Sequence, residues 1–68
     1  MSRIKKYPYL FNEIKRNNET QIQIARLIGI SKETMIKRMS GRSDWTISEI
    51  ETICKHYNKD YYELFRKD

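Results

Sequence analysis

Lys32, Glu33, Ile36 and Lys37 share one face of any helix that begins near Lys32, because positions one, four and five residues on lie close together round a helical turn. Together they supply two ammonium donors, one carboxylate acceptor and one branched apolar group. Those are the groups that base-pair edges in a major groove call for. An ammonium donates to guanine O6 and N7, a carboxylate accepts from the cytosine amino group, and an aliphatic side chain meets the thymine methyl. Ser31, immediately before them, belongs to the same face and can also cap the helix. Catalytic chemistry is poorly supplied by comparison. Cys54 and His56 stand two residues apart, point in different directions round a helix and make no nucleophile–base pair. One Cys and one His give neither a structural zinc set nor an internal disulfide. The carboxylates are scattered at positions that suit helix caps and solvated surface, and no Gly-rich phosphate loop is present. The expectation is a binding protein, not an enzyme, with no cofactor, no metal and no small-molecule substrate.

The elements that must position the Lys32–Lys37 face lie in residues 20–41. The pattern predicts a helix over 21–28, a tight turn, and a second helix over 32–40. Thr20 stands three residues before Gln23 and Ser31 opens the run Lys32-Glu33-Thr34, so each helix has a hydroxyl able to accept the free N–H groups of its first turn. Gly29 falls where the first helix must stop in a left-handed conformation, which a residue without Cβ adopts freely. Ile24, Ala25 and Ile28 form the inward face of the first helix, and Met35 and Met39 that of the second. The unit reads as a helix-turn-helix.

The order Thr20-Gln21, Ile24-Ala25, Ile28-Gly29-Ile30-Ser31, Thr34-Met35 and Gly41 resembles the Cro/C1-type helix-turn-helix family of phage and bacterial repressors. The likeness continues through Trp45–Ile50 and Tyr61–Phe65, and covers roughly residues 9–65. It implies an all-α, compact five-helix, lambda-repressor-like DNA-binding domain over residues 7–68, with the helix-turn-helix at helices 2 and 3. It also places base reading at Lys32, Glu33 and Lys37, in agreement with the geometry, and a basic phosphate clamp at Arg42. Three positions depart from the family pattern. Glu19 replaces an apolar residue before the Thr-Gln pair. Arg38 replaces a half-buried apolar residue, leaving its stem over the core edge and its guanidinium free to meet a phosphate or an acidic partner. Met39 replaces a Glu that relatives pair with an Arg of helix 1, and reads as core filler.

The rest of the chain fits one small domain of 68 residues. Residues 1–6 are a basic arm in which Arg3, Lys5 and Lys6 either reach a phosphate or minor groove or simply keep a tail soluble. Pro8 suits the opening turn of a helix over 9–16 whose Leu10, Phe11 and Ile14 face inward, and Asn17-Asn18 ends it. Thr46 with Glu49, and Asp60 with Glu63, mark capping boxes for helices 4 and 5. Trp45 and Ile50 occupy the flanking positions of a hydrophobic staple. Helix 4 is expected to bury Ile47, Ile50, Ile53, Cys54 and Tyr57. A thiol packed where relatives carry a small Ala is structural. No strand pattern and no membrane-length apolar run occurs, and a lone free Cys suits a reducing interior, so a cytoplasmic location in a bacterial cell is expected.

Charge is distributed unevenly. Residues 1–42 hold ten Lys/Arg against three Glu, or +7, while residues 43–68 hold four against six acids, or −2; the sum is the chain's +5. Positive charge thus collects on the half that carries the helix-turn-helix, as a phosphate-binding face requires. Phosphate contacts are expected from Gln21 at the start of helix 2, Ser31, Thr34, Arg38 and Arg42, with Thr34 alternatively bonded within its own helix. The expected partner is double-stranded DNA, bound as a homodimer through Tyr61, Tyr62 and Phe65, although Phe65 equally suits core closure. The competing class is a modulator that binds protein, either another phage regulator or a toxin, through Ile36, Ile22 and the tyrosines.

Overall fold

The computed structural model describes residues 6–67. Five α-helices follow in order: α1 Pro8–Arg16, α2 Gln21–Ile28, α3 Lys32–Ser40, α4 Ile47–Tyr57 and α5 Tyr61–Phe65. No strand occurs among the described residues. The helix ends have local causes. Thr20 and Thr46 cap α2 and α4 in full capping boxes with Gln23 and Glu49, Asp60 caps α5 with Glu63, and the Ser31 hydroxyl accepts the Thr34 N–H at 3.1 Å. Gly29 and Gly41 end α2 and α3 at φ of 80° and 83°, and Asn58 ends α4 at 55°. Those left-handed stops turn the chain sharply enough to pack short helices on one another.

α2 packs on α3 and α4, while α5 packs on α1 and α4. The core between them is built from Leu10, Ile14, Ile24, Ala25, Met35, Ile53, Leu64 and Phe65, with Ile28, Ile30, Met39, Ile50, Cys54 and Tyr57 half-buried around it. One closing element is not visible as periodicity. Tyr7, ahead of α1, is buried, and its ring meets the edges of Trp45 and Phe65 at 6.1 Å each, while Trp45 and Phe65 meet at 5.3 Å. This edge-to-face triad joins the start of α1, the α3–α4 link and α5.

Two core expectations change, and Phe65 takes one of its two expected roles. Ile47 is 75% exposed, because it lies six residues before Ile53 and hence about 120° round α4 from that fully buried position. Phe11 is only half-buried, since the α1 face that meets α5 centres on Leu10 and Ile14. Phe65 is 2% exposed within the aromatic triad, so it closes the core and is not available as a contact residue.

Two buried carboxylates, Glu49 and Glu13, anchor ion networks. Buried Glu49 accepts from Arg38 Nε at 2.9 Å and Nη2 at 3.2 Å, while its Oε1 also accepts the Thr46 N–H at 3.0 Å. Arg38 Nη1 donates to Ser43 Oγ at 2.8 Å, so one guanidinium joins α3, the following loop and α4. Burial opposes the charge on Glu49, but the bonds from Arg38 and Thr46 outweigh it and hold the carboxyl below the ordinary carboxylate range. Glu13 is the second. It is buried on α1, paired with Arg16 and Asn17, and has Lys59 Nζ at 3.6 Å; these likewise overcome its burial and depress its pKa.

Candidate nucleic-acid interface

α3 presents Ser31, Lys32, Glu33, Ile36 and Lys37 outward, all exposed, while Met35 on its opposite side is 1% exposed and locks the helix to the core. For Lys32, Glu33, Ile36 and Lys37 this division follows from the 3.6-residue repeat; Ser31, four residues before Met35, is exposed because it is the cap ahead of the first turn. Ser31 is committed in part to structure. Besides capping the helix, its hydroxyl donates to Thr34 Oγ1 at 3.0 Å. Thr34 is half-buried, and its hydroxyl takes this bond from the cap residue in place of the expected bond within its own helix.

The supporting positions sort into two groups. Gln21, half-buried, occupies the first position of α2, and Arg42 lies exposed one residue past Gly41. The side chain of Lys6 crosses Gly41 so closely that a Cβ there would sit 2.7 Å from its Cγ and Cε. The Lys6 stem and Arg42 thus both lie at the C-terminal end of α3, where the helix dipole favours positive charge. Arg38 belongs to the other group. Of the two partners open to it, the structure supplies the acidic one, Glu49, and leaves the guanidinium bridging α3 to α4 instead of standing free. Arg3 and Lys5 lie outside the described residues.

Sequence periodicity did not bring Ile22 into this site. Ile22 is 43% exposed and Ile36 48% exposed, and together with Gln21, Lys32 and Met35 they line a notch of about 60 Å³ between α2 and α3. The two isoleucines are fourteen residues apart, so no local spacing could have paired them.

Glu19, the departure at the α1–α2 junction, is the anchor of a separate tie. Its Oε1 accepts from the Tyr57 hydroxyl at 2.6 Å, and its Oε2 lies 2.8 Å from His56 Nε2. The Tyr57 bond, followed by the contact with His56, lowers the Glu19 pKa, whereas burial and then the same carboxylate push the Tyr57 hydroxyl up. An apolar residue at position 19 cannot make this link to α4, and the carboxylate holds α2 in place from its N-terminal side.

Tyr61 and Tyr62 remain exposed on α5, at 58% and 65%. Tyr62 borders a surface pocket of about 420 Å³ with Tyr9, and the Arg66 guanidinium lies 4.3 Å from the Tyr9 ring and 5.0 Å from the Tyr62 ring. The Tyr61 ring stacks on Phe65 at 5.5 Å. The α5 tyrosines are not part of the α3 face. Cys54 is half-buried, and burial followed by the nearby Asp60 charge pushes its thiol up, away from nucleophilic reactivity.

Five helices, a capped helix-turn-helix and a basic outer face with an apolar notch define a small helix-turn-helix regulatory domain. The chain belongs to the BetR domain family, which it matches over residues 3–68. The family is of the helix-turn-helix type, in agreement with the sequence resemblance at the level of the domain. The chain is also similar to Antitoxin PezA of Streptococcus pneumoniae serotype 4 (strain ATCC BAA-334 / TIGR4), at 30% identity over 54 residues. That match covers 79% of this chain and 34% of the antitoxin, so the chain spans about a third of that relative's length. No solved structure matches. Among the described residues, no helix is long and apolar enough to cross a membrane.

Proposed function

We propose that the chain is a sequence-specific DNA-binding regulator of the Cro/C1-like kind, which lays α3 in the major groove of an operator and blocks the promoter by occupying it. The observation that carries this reading is the outward row Lys32, Glu33, Ile36 and Lys37 on a helix whose other side is locked by Met35. Lys32 and Lys37 donate to guanine, Glu33 accepts from cytosine, and Lys6, Arg42 and the N-terminal turn of α2 with Gln21 hold phosphates. A domain of this size covers too little DNA for tight binding alone, so two copies on a two-part site complete it. The reading is of a binding module, without catalysis and without a cofactor, acting in the cytoplasm.

The test is fluorescence anisotropy against the promoter region beside its own gene and a scrambled duplex, at several salt concentrations. Strong preference for the native duplex, with affinity falling steeply as salt rises, supports the reading. Equal weak binding to both refutes it.

A second reading has its own support. The similarity to a protein named an antitoxin, together with exposed Ile22, Ile36, Tyr61 and Tyr62, favours a protein partner such as a toxin or an opposing regulator. The two separate cleanly. Under the DNA reading, function fails in the Lys32→Ala/Lys37→Ala double variant. If function survives there but is lost in Ile36→Asp, the protein reading replaces it.

A further inference from the structure

The notch between α2 and α3 has a shape and a charge setting that together select one occupant. Met35, 1% exposed, lies at its base, and Ile22 and Ile36 border it at 43% and 48% exposure. It is small, about 60 Å³, and the surface it exposes is apolar, so it suits an apolar group the size of a methyl. Lys32 borders the same notch, Lys37 stands exposed one residue after Ile36, and residues 1–42 carry +7. A polyanion is therefore the partner the surroundings attract. On the major-groove edge of a duplex the apolar group that projects toward a protein is the C5-methyl of thymine.

We propose that Ile22 and Ile36 form a specificity pocket for the C5-methyl of a single thymine in each bound half-site, so that α2 as well as α3 contributes to sequence choice. This deepens the DNA-binding reading and rests on it. Lys32 then reads polar base edges next to the methyl contact, and Ile22 becomes a specificity-determining residue although it lies outside the recognition helix. The apolar character that favours a protein partner is, on this view, part of the DNA-reading surface.

The experiment uses the full chain and a randomised duplex pool, from which the preferred duplex is selected. Each thymine in that duplex is then replaced in turn by deoxyuridine, which removes the methyl and leaves the Watson–Crick edge intact. Binding is read by fluorescence anisotropy for the unmodified protein, Ile22→Ala and Ile36→Ala. The expected result is a loss of about fourfold at one thymine per half-site, the value of one buried carbon. That penalty should shrink toward onefold in both variants. Both substitutions fall on exposed positions, so a retained urea midpoint will show that the variants are folded. The pocket assignment is overturned if the selected duplex is preferred but thymine and deoxyuridine bind alike at every position. It is equally overturned if the penalty persists undiminished in both variants, since the methyl would then act through the DNA. A pool that yields no preferred duplex overturns the DNA-binding reading and the pocket with it.

Discussion

Replacing Arg38 by Met separates two roles for one guanidinium. In the structure its Nε and Nη2 bond Glu49 at 2.9 and 3.2 Å, and its Nη1 bonds Ser43 at 2.8 Å. The two charged side chains are only 16% and 9% exposed, so solvent replaces little of what is lost. Met preserves the aliphatic stem and removes the charge. Glu49 is then left in a largely buried site with its Thr46 N–H bond alone. Hydrogen bonds to charged groups contribute about 1.5–3 kcal/mol each, and breaking a fully buried pair costs about 3–5 kcal/mol. For this incompletely buried pair, with the capping bond surviving, a loss of about 2–3 kcal/mol is expected. A domain this small has about 3–10 kcal/mol in total, so the variant should lose some 10–20 °C of Tm. Urea denaturation followed by Trp45 fluorescence measures it. A double-mutant cycle with Glu49→Gln should give a coupling of about 2 kcal/mol, because the two side chains act on each other. An Arg38→Met variant as stable as the parent, within about 0.5 kcal/mol, would refute the structural assignment. If that variant instead lost DNA affinity and its salt slope fell by about one, Arg38 would be a phosphate clamp.

Further outcomes follow from the same contacts. Lys32→Ala/Lys37→Ala should weaken preferred-duplex binding by about 2–4 kcal/mol, whereas Arg42→Ala should weaken selected and scrambled duplexes alike and reduce the salt slope by about one. Titration from pH 7 downward should destabilise the fold, because Glu13, Glu19 and Glu49 all have depressed folded pKa values. Their contribution is complete above the ordinary carboxylate value of about 4.3 and is lost as pH falls through the lower folded values. A urea midpoint that stayed constant from pH 6 to pH 3 would contradict this linkage. Tyr57→Phe removes the donor to Glu19 and should cost about 1–2 kcal/mol by the same denaturation assay. Gly41→Ala forces a side chain onto φ 83° and displaces Lys6, so a loss of about 1 kcal/mol is expected in thermal melts.

How much of this protein is written locally can be judged helix by helix. Thr20, Ser31, Thr46 and Asp60 announce four helix starts, and Gly29, Gly41 and Asn58 announce three stops, because capping and left-handed termination act within a few residues. The outward placement of Lys32, Glu33, Ile36 and Lys37 follows as soon as Met35 is assigned inward, since one helical period orders them all. These features reach no farther than a turn of helix, so they survive in the sequence alone.

What the tertiary structure alone decided involves partners distant in the chain. Glu19 meets residues 37 and 38 positions later, and Arg38 meets Glu49 eleven positions on. Neither pairing has a periodic signature. Arg38 at a normally apolar position and Glu19 before the Thr-Gln pair look like anomalies until the carboxylate or the phenol that each one faces is seen. Tyr7 has no signature in the sequence because it precedes the helix and takes part in no repeat, yet its ring completes the triad with Trp45 and Phe65. That same triad withdraws Phe65 from the surface. The apolar notch also depends on how α2 is set across α3, which places Ile22 beside Ile36. Side-chain types and helical periods select the outward face of α3 proposed to meet DNA; packing of one helix on another determines which charges on that face stay free and where its apolar pocket opens.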